Sequence, residues 1–138
     1  MTPTRTSRIR RVLSDAEGSS TAEWALSAAL LTMLFLTIVQ VAFALHVRTT
    51  LVDAAGEGAR HAGTVGASLA AGEERTATLI GLALSSGYAR DVRAEHVSVD
   101  GVDVVRVTVT APLPLIGLVG LPDSLTVVGR APVERLGR

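Results

Sequence analysis

The pattern of apolar and polar positions changes period twice along the chain. From Trp24 to Leu45 the sequence WALSAALLTMLFLTIVQVAFAL carries no charged residue. As a helix those 22 positions would span about 33 Å, slightly more than a bilayer hydrocarbon core of about 30 Å. The run is apolar on every side, which predicts a helix that crosses a membrane rather than one that lies on a core. Beyond it, Val47, Leu51, Ala54, Gly58, Ala62 and Val65 recur at helical spacing and mark a narrow, closely packing face, so the membrane helix should continue as an amphipathic extension. Gly63, Gly66 and the stretch Ala70-Ala71-Gly72 then interrupt it. A second helix is expected from Glu73 to Ser86, with Gly87 as a left-handed cap and Ala77, Ile80, Ala83 and Leu84 as its inner stripe. After Tyr88 the period falls to two. Val97 and Val99 form one segment, and Val105, Val107 and Val109 alternate with Arg106, Thr108 and Thr110 in the next. Asp100-Gly101 between them is a hairpin-turn dipeptide. A third strand should run from Leu125 to about Val133, with Pro132 near an end or on an edge, where its missing N–H does no harm. The expected product is an α+β chain: one N-terminal transmembrane helix extended into an amphipathic helix, then a second helix and a small antiparallel sheet of about three strands.

Charge gives this layout a direction. Arg5, Arg8, Arg10 and Arg11 precede the apolar run and Arg48 alone follows it closely, so the N-terminus is expected to stay in the cytoplasm and residues from His46 onward to lie outside it. The expected division is a basic leader at 1–18, the transmembrane helix at 19–45 and a small extracytoplasmic domain at 46–138. Thr32, Thr37, Ser27 and Gln40 within the run can bond to their own helix backbone and need mark no channel. Ala25 and Ala29 offer a surface where another helix can approach closely. The net charge is zero and the 13 basic residues are spread along the chain, which leaves no nucleic-acid footprint. Cysteine is absent, and with it disulfides, thiolate metal sites and Cys nucleophiles. His46, His61 and His96 have no ligand spacing, and Ser124 beside Asp123 reads as a turn or strand start, so neither an enzyme, a metal site nor a small-molecule substrate is expected. The apolar but proline- and glycine-punctuated stretch 111–122 reads as a loop folded over the open sheet face, or as a patch that meets a membrane or a partner.

The junction Gly18-Ser19-Ser20-Thr21-Ala22-Glu23-Trp24 is the most specific feature. A carboxylate at the edge of a membrane helix is costly without a partner. In an isolated helix Glu23 suits the first turn, and Ser20 with Glu23 fits an S-x-x-E capping box that would start the helix here. The arrangement also resembles the type IV prepilin class, in which a basic leader ends in Gly, a peptidase cuts on the cytoplasmic side and a Glu follows at the fifth position. On that resemblance Gly18 ends the leader, Ser19 becomes the first residue, and Glu23 neutralises the new α-amine of an adjoining subunit. A competing cut is written at the far end, where Ala42-Phe43-Ala44 satisfies the A-x-A rule and would release a soluble chain from Leu45. The apolar run is longer than the usual signal-peptide core of about 7 to 15 residues, which favours retention.

A second run, Ala55-Gly56-Glu57-Gly58-Ala59-Arg60, completes the comparison. Together with Gly18, Glu23-Trp24-Ala25 and the helix between, it resembles the TadE/TadG family of Flp (tight adherence) pilus assembly. Position 56 is Gly where a basic residue is common in that family. The resemblance implies a non-catalytic pseudopilin or minor pilin with no cofactor. Its implied partners are other pilins and pseudopilins, the inner-membrane pilus platform and the prepilin peptidase. Glu23, Trp24, Ala25, Ala29, Glu57, Gly58 and Arg60 are the implied assembly contacts, and Gly18, Ser19 and Glu23 the processing site. Read without the family, Glu57 and Arg60 at i and i+3 can pair, and E-G-A-R is simply part of the amphipathic extension. The alternatives are an exported soluble binding protein freed after Ala44 and an uncut single-pass accessory of another membrane complex.

Overall fold

A computed structural model describes residues 5–112 and 125–134, and their side chains from Ser19 onward. The apolar stretch that begins after Ala111 therefore lies almost wholly outside the described residues, as do Asp123 and Ser124. The chain divides into two compact units, residues 1–39 and 40–138.

Helix α1 runs from Arg5 to Gly63. It is already formed well before Ser20, so the S-x-x-E sequence does not start it, and the capping-box expectation is corrected. Among the described residues of the first unit the apolar side chains of α1 are uncovered: Trp24 is 74% exposed, and Leu26, Leu31, Met33 and Phe35 are all well exposed. The hydroxyls of Thr32 and Thr37 each donate to the carbonyl four residues back, Ala28 and Met33, at 2.8 Å, which satisfies them within the helix.

In the second unit α1 turns one face inward. Val47, Leu51, Ala54, Gly58 and Ala62 of the face expected from spacing are buried, and Ala55 and Ala59, which that spacing did not include, widen it. Val65 is half-exposed because the helix has ended at Gly63. Helix α2 spans Leu69–Ala83, four residues earlier than expected. The Ser68 side chain accepts from the Ala71 N–H at 3.1 Å, a capping bond that outweighs the three small residues read as a breaker. Ala70 and Ala71 are strong helix formers, and Gly72 sits inside the helix at a close crossing. The inner stripe is accordingly Gly72, Thr76 and Ile80, with Leu79 and Leu84 at its margin. Ala83 is exposed and Ala77 half-buried, a rotation of the expected face. Gly87 lies in a short 3-10 turn, Ser86–Tyr88, rather than in a left-handed cap.

Strands β1 (Asp91–Val99), β2 (Val102–Ala111) and β3 (Leu125–Pro132) form one antiparallel sheet in the order β1-β2-β3. Val99 pairs with Val102, and Asp100 and Gly101 have φ of 51° and 78°. Both central residues are left-handed, as a two-residue type I′ hairpin requires. Period two decides which face is inside: Val105, Val107, Val109 and Ala111 of β2 join Val127 and Ala131 of β3 in the core with Ile80. The edge strand β1 is covered at one point, where the Ala94 N–H donates to Glu73 Oε1 of α2 at 2.7 Å. Pro132 ends the other edge strand, as expected for a residue with no N–H. Past it, the Glu134 N–H donates to the Gly63 carbonyl at 2.7 Å, which ties the end of the sheet to the end of α1. The observed fold is an α+β layer preceded by a long apolar helix.

Candidate assembly interface

The residues singled out in the sequence fall in two places. Ser19, Glu23, Trp24, Ala25 and Ala29 lie on α1 in the first unit, all exposed. Gly18 is helical and immediately precedes the first side chain described. Ser19 and Glu23 are four residues apart on one helix, so about 6 Å of rise separates them. Ala25 and Ala29 are likewise one turn apart and leave a shallow strip of backbone uncovered, where a second helix can come close.

Glu57, Gly58 and Arg60 lie in the second unit, and they divide by role. Arg60 Nη2 and Glu57 Oε2 are 2.8 Å apart, and Arg60 Nε donates to the same oxygen at 3.2 Å. Both side chains remain largely in solvent, 66% exposed for Arg60 and 42% for Glu57. The hydrogen bond from Arg60, reinforced by its charge, holds the Glu57 carboxyl below its ordinary value, and the nearby Arg75 and His61 act in the same direction. Gly58 is buried, as its place on the closely packing face predicts, and α2 is what it packs against. A Cβ there would run into the Thr76 hydroxyl and stand 2.7 Å from the Gly72 carbonyl oxygen, while a Cβ on Gly72 would stand 2.6 Å from that of Ala62. Gly58 and Gly72 therefore form the point where α1 and α2 cross at backbone distance. The structure gives Gly58 a packing role that holds Glu57 and Arg60 outward on the ridge.

That ridge separates two open hollows. One, of about 380 Å³, is lined by Glu57, Arg60, His61, Thr64, Pro132 and Glu134; the other, of about 320 Å³, lies between α1 and α2 and includes Thr50, Asp53, Leu79 and Ala83. His46, His61 and His96 are each exposed and stand on separate turns or strands. Among the described residues no group of three His, Cys, Asp or Glu side chains could hold a metal ion.

Because folded-state Glu57 releases its proton more readily than an unpaired carboxyl, its bond to Arg60 stabilises the fold above the ordinary Glu range. It is lost as pH falls through the lowered value. Glu57→Gln is expected to leave the melting temperature at pH 7 nearly unchanged, since the pair is exposed. The same substitution should flatten the loss of stability below about pH 4.5. Thermal melts of the full chain in detergent micelles at pH 7 and pH 3 check this.

One apolar helix with exposed side chains, long enough to cross a bilayer by length and composition, is consistent with a single-pass membrane protein. Residues 18–60, about a third of the chain, match the family model described as TadE-like protein, the family that the two flanking motifs resemble. The matched segment begins at Gly18 and ends at Arg60, so it contains every residue singled out as a contact or processing position. TadE-like proteins are a family of pilus components, and the likeness to them is confined to this segment. No characterised protein and no solved structure matches it.

Proposed function

We propose that the chain is a TadE-like pseudopilin or minor pilin of Flp pilus assembly, cut after Gly18 and held in the inner membrane by α1 with its C-terminal unit outside the cytoplasm. The observation that carries this reading is the junction itself: Gly18, Ser19 and Glu23 stand in order at the head of an uncovered apolar helix, within the segment that matches the family. Cutting would place an α-amine at Ser19 on the cytoplasmic edge of the membrane. A Glu23 carboxylate from an adjoining subunit can neutralise that amine where water is scarce, and each charge then removes the cost of the other. Ala25 and Ala29 permit the helix approach this pairing needs, and Trp24 suits the interfacial layer. On the outer side, the Glu57–Arg60 ridge, held up by the crossing at Gly58, supplies a polar contact for another pilus component or the platform. The role requires no cofactor and no chemistry by the chain itself.

The Gly18–Ser19 peptide bond lies inside α1, whereas proteases take extended backbone. Gly18, Ser19, Ser20 and Thr21 are all weak helix formers, so local unwinding there costs little. Co-expression with a prepilin peptidase should convert the chain to one shortened by 18 residues, whereas Gly18→Val should remain full length because a branched side chain blocks the cut. Equal cleavage of both forms would remove the processing site from Gly18.

A further inference from the structure

We propose that the sheet is one strand short, and that the free edge of β3 takes an extended, acidic segment of a partner protein, antiparallel to β3, with a carboxylate opposite Arg130. The site lies wholly within the 40–138 unit, so it stands whether or not α1 spans a membrane.

The hydrogen-bond ladder shows which groups are free. The Val133 N–H donates across to the Asp103 carbonyl at 3.0 Å. Residues of an antiparallel pair alternate in this respect. Val127, Gly129 and Ala131 therefore turn their backbone groups toward β2, and Thr126, Val128 and Arg130 turn theirs away. The opposite edge has the matching phase: Ala94 points away from β2 by the same alternation, and its N–H is the one that Glu73 takes. Glu73 thus closes part of the β1 edge. On the β3 edge, among the described residues, nothing bonds to the outward N–H and C=O groups of Thr126, Val128 and Arg130. The side chains of the same three residues are exposed on the face of the sheet turned away from the helices. Such a row of unpaired backbone groups is a template for another strand.

Charge says what that strand carries. One row crosses the outer face from Glu95 through Arg106 to Arg130. Arg106 Nη1 donates to Glu95 Oε1 at 3.3 Å, and Arg106 Nε is buried with no partner. Arg130 stands directly opposite Arg106 in a pair of the non-hydrogen-bonded kind, in which Cα atoms are about 4.5 Å apart and side chains closest. Like charges so placed repel, and among the described residues Arg130 has no ion pair. The other charges around it are committed or remote. Arg93 holds Asp91, and Arg60 holds Glu57. Asp53 lines the hollow shared with α2, and Glu134 lies four residues on, about 13 Å along an extended chain. A carboxylate on the next strand out, in register with Arg130, would complete the row as minus, plus, plus, minus.

The rest of the incoming strand follows from the alternation. Two residues after its acid it meets Val128, which is exposed, so an apolar side chain fits. Two residues further it meets Thr126, where a second Thr fits. The residues between turn to the inner face, where Gly129 lies against Ala55 and Gly56 and Val52, one turn earlier on α1, is exposed; small apolar side chains suit that flank. A second copy of β3 suits the edge less well, because pairing about Val128 would set each Arg130 opposite a Thr126 and leave it without a carboxylate. Of residues 113–124, which join β2 to β3, Asp123 alone is acidic, and Pro114 and Pro122 have no N–H for a ladder.

The test uses the full chain in detergent micelles, with amide hydrogen exchange read residue by residue by NMR. The probe strand is the peptide Ser-Val-Glu-Ala-Val-Ala-Thr-Val-Ser, blocked at both ends. Without peptide, Thr126, Val128 and Arg130 should exchange fast and Val127, Gly129 and Ala131 slowly. Bound peptide should slow the first three about tenfold. Arg130→Glu should weaken peptide binding about fivefold, and a peptide with Lys in place of Glu should recover the loss on that variant. A millimolar peptide that slows none of the three amides overturns the proposal. Slowing that ignores the charge exchange sinks the carboxylate match, and the proposal with it. Slow exchange at the three positions without peptide also contradicts it: at every protein concentration this assigns the edge to residues 113–124 of the chain itself, and only at high concentration to a second copy.

Discussion

Gly129→Val is expected to unfold the C-terminal unit or bring it close to unfolding, although the change places a strand-favouring residue in a strand. A Cβ at this position would fall on the carbonyl carbon of Ala55 and the amide nitrogen of Gly56. Those are backbone atoms of α1 and cannot rotate away. To admit a Val, α1 must lift from β3, which would open the core that Val47, Leu51, Ala55 and Ala59 share with Val107, Val109 and Val127. Overpacking against flexible side chains costs about 1–3 kcal/mol, and against rigid backbone the cost lies at or above that range. With total stabilities of small domains at about 5–15 kcal/mol, a loss of this size is decisive. Thermal melts followed by circular dichroism in detergent micelles would show it. Gly81→Ala is the matched control: a Cβ there meets nothing within 4 Å, so the change should stabilise α2 by about 0.5–1 kcal/mol through helix propensity alone.

Glu23→Gln is expected to have the largest effect on assembly. The side chain is exposed in the isolated chain and touches nothing that folding needs, and a neutral amide enters a membrane edge more easily than a carboxylate. Insertion and stability should therefore be preserved. Pairing with the Ser19 amine of a neighbour would be lost, and a charge-assisted hydrogen bond of about 1.5–3 kcal/mol corresponds to about a ten- to hundredfold drop in association. Site-specific cross-linking through residues near Ala25, together with recovery of the chain with other pilus subunits, reads this out. Full recovery with Glu23→Gln would remove the amine-pairing account and leave the carboxylate as a solvated residue of the helix.

Where the sequence was legible, a period made it so. The uncharged run, the small-residue face through Val47, Leu51, Ala54 and Ala62, and the alternating valines of β2 each carry their own burial pattern, and Asp100-Gly101 is a turn whose backbone demands those residues. The Glu57–Arg60 pair is also local, three residues apart. What stayed hidden depends on elements that meet only in three dimensions. Gly129 reads in sequence as a weak point in a strand, and only the helix lying over it shows that no other residue fits. Gly58 stands within a recognisable motif, yet its burial against Gly72 becomes evident only when α2 is in place. The bond from Ala94 to Glu73 joins residues 21 apart, at an edge that the sequence does not mark as covered. The start of α2 was obscured for a different reason. Three small residues ending in Gly suggest a break, while the competing signal, Ser68 as a cap, is a single residue whose effect lies in one hydrogen bond.

The central claim is that a peptidase converts Gly18-Ser19 into a new N-terminus and leaves the apolar helix in place. Intact mass of the chain recovered from membranes of its native host tests it most directly. The account predicts a membrane-bound chain that begins at Ser19. A chain that begins at Leu45 and is recovered outside the membrane would contradict it, because the helix that positions Glu23, Trp24 and Ala25 would then be discarded.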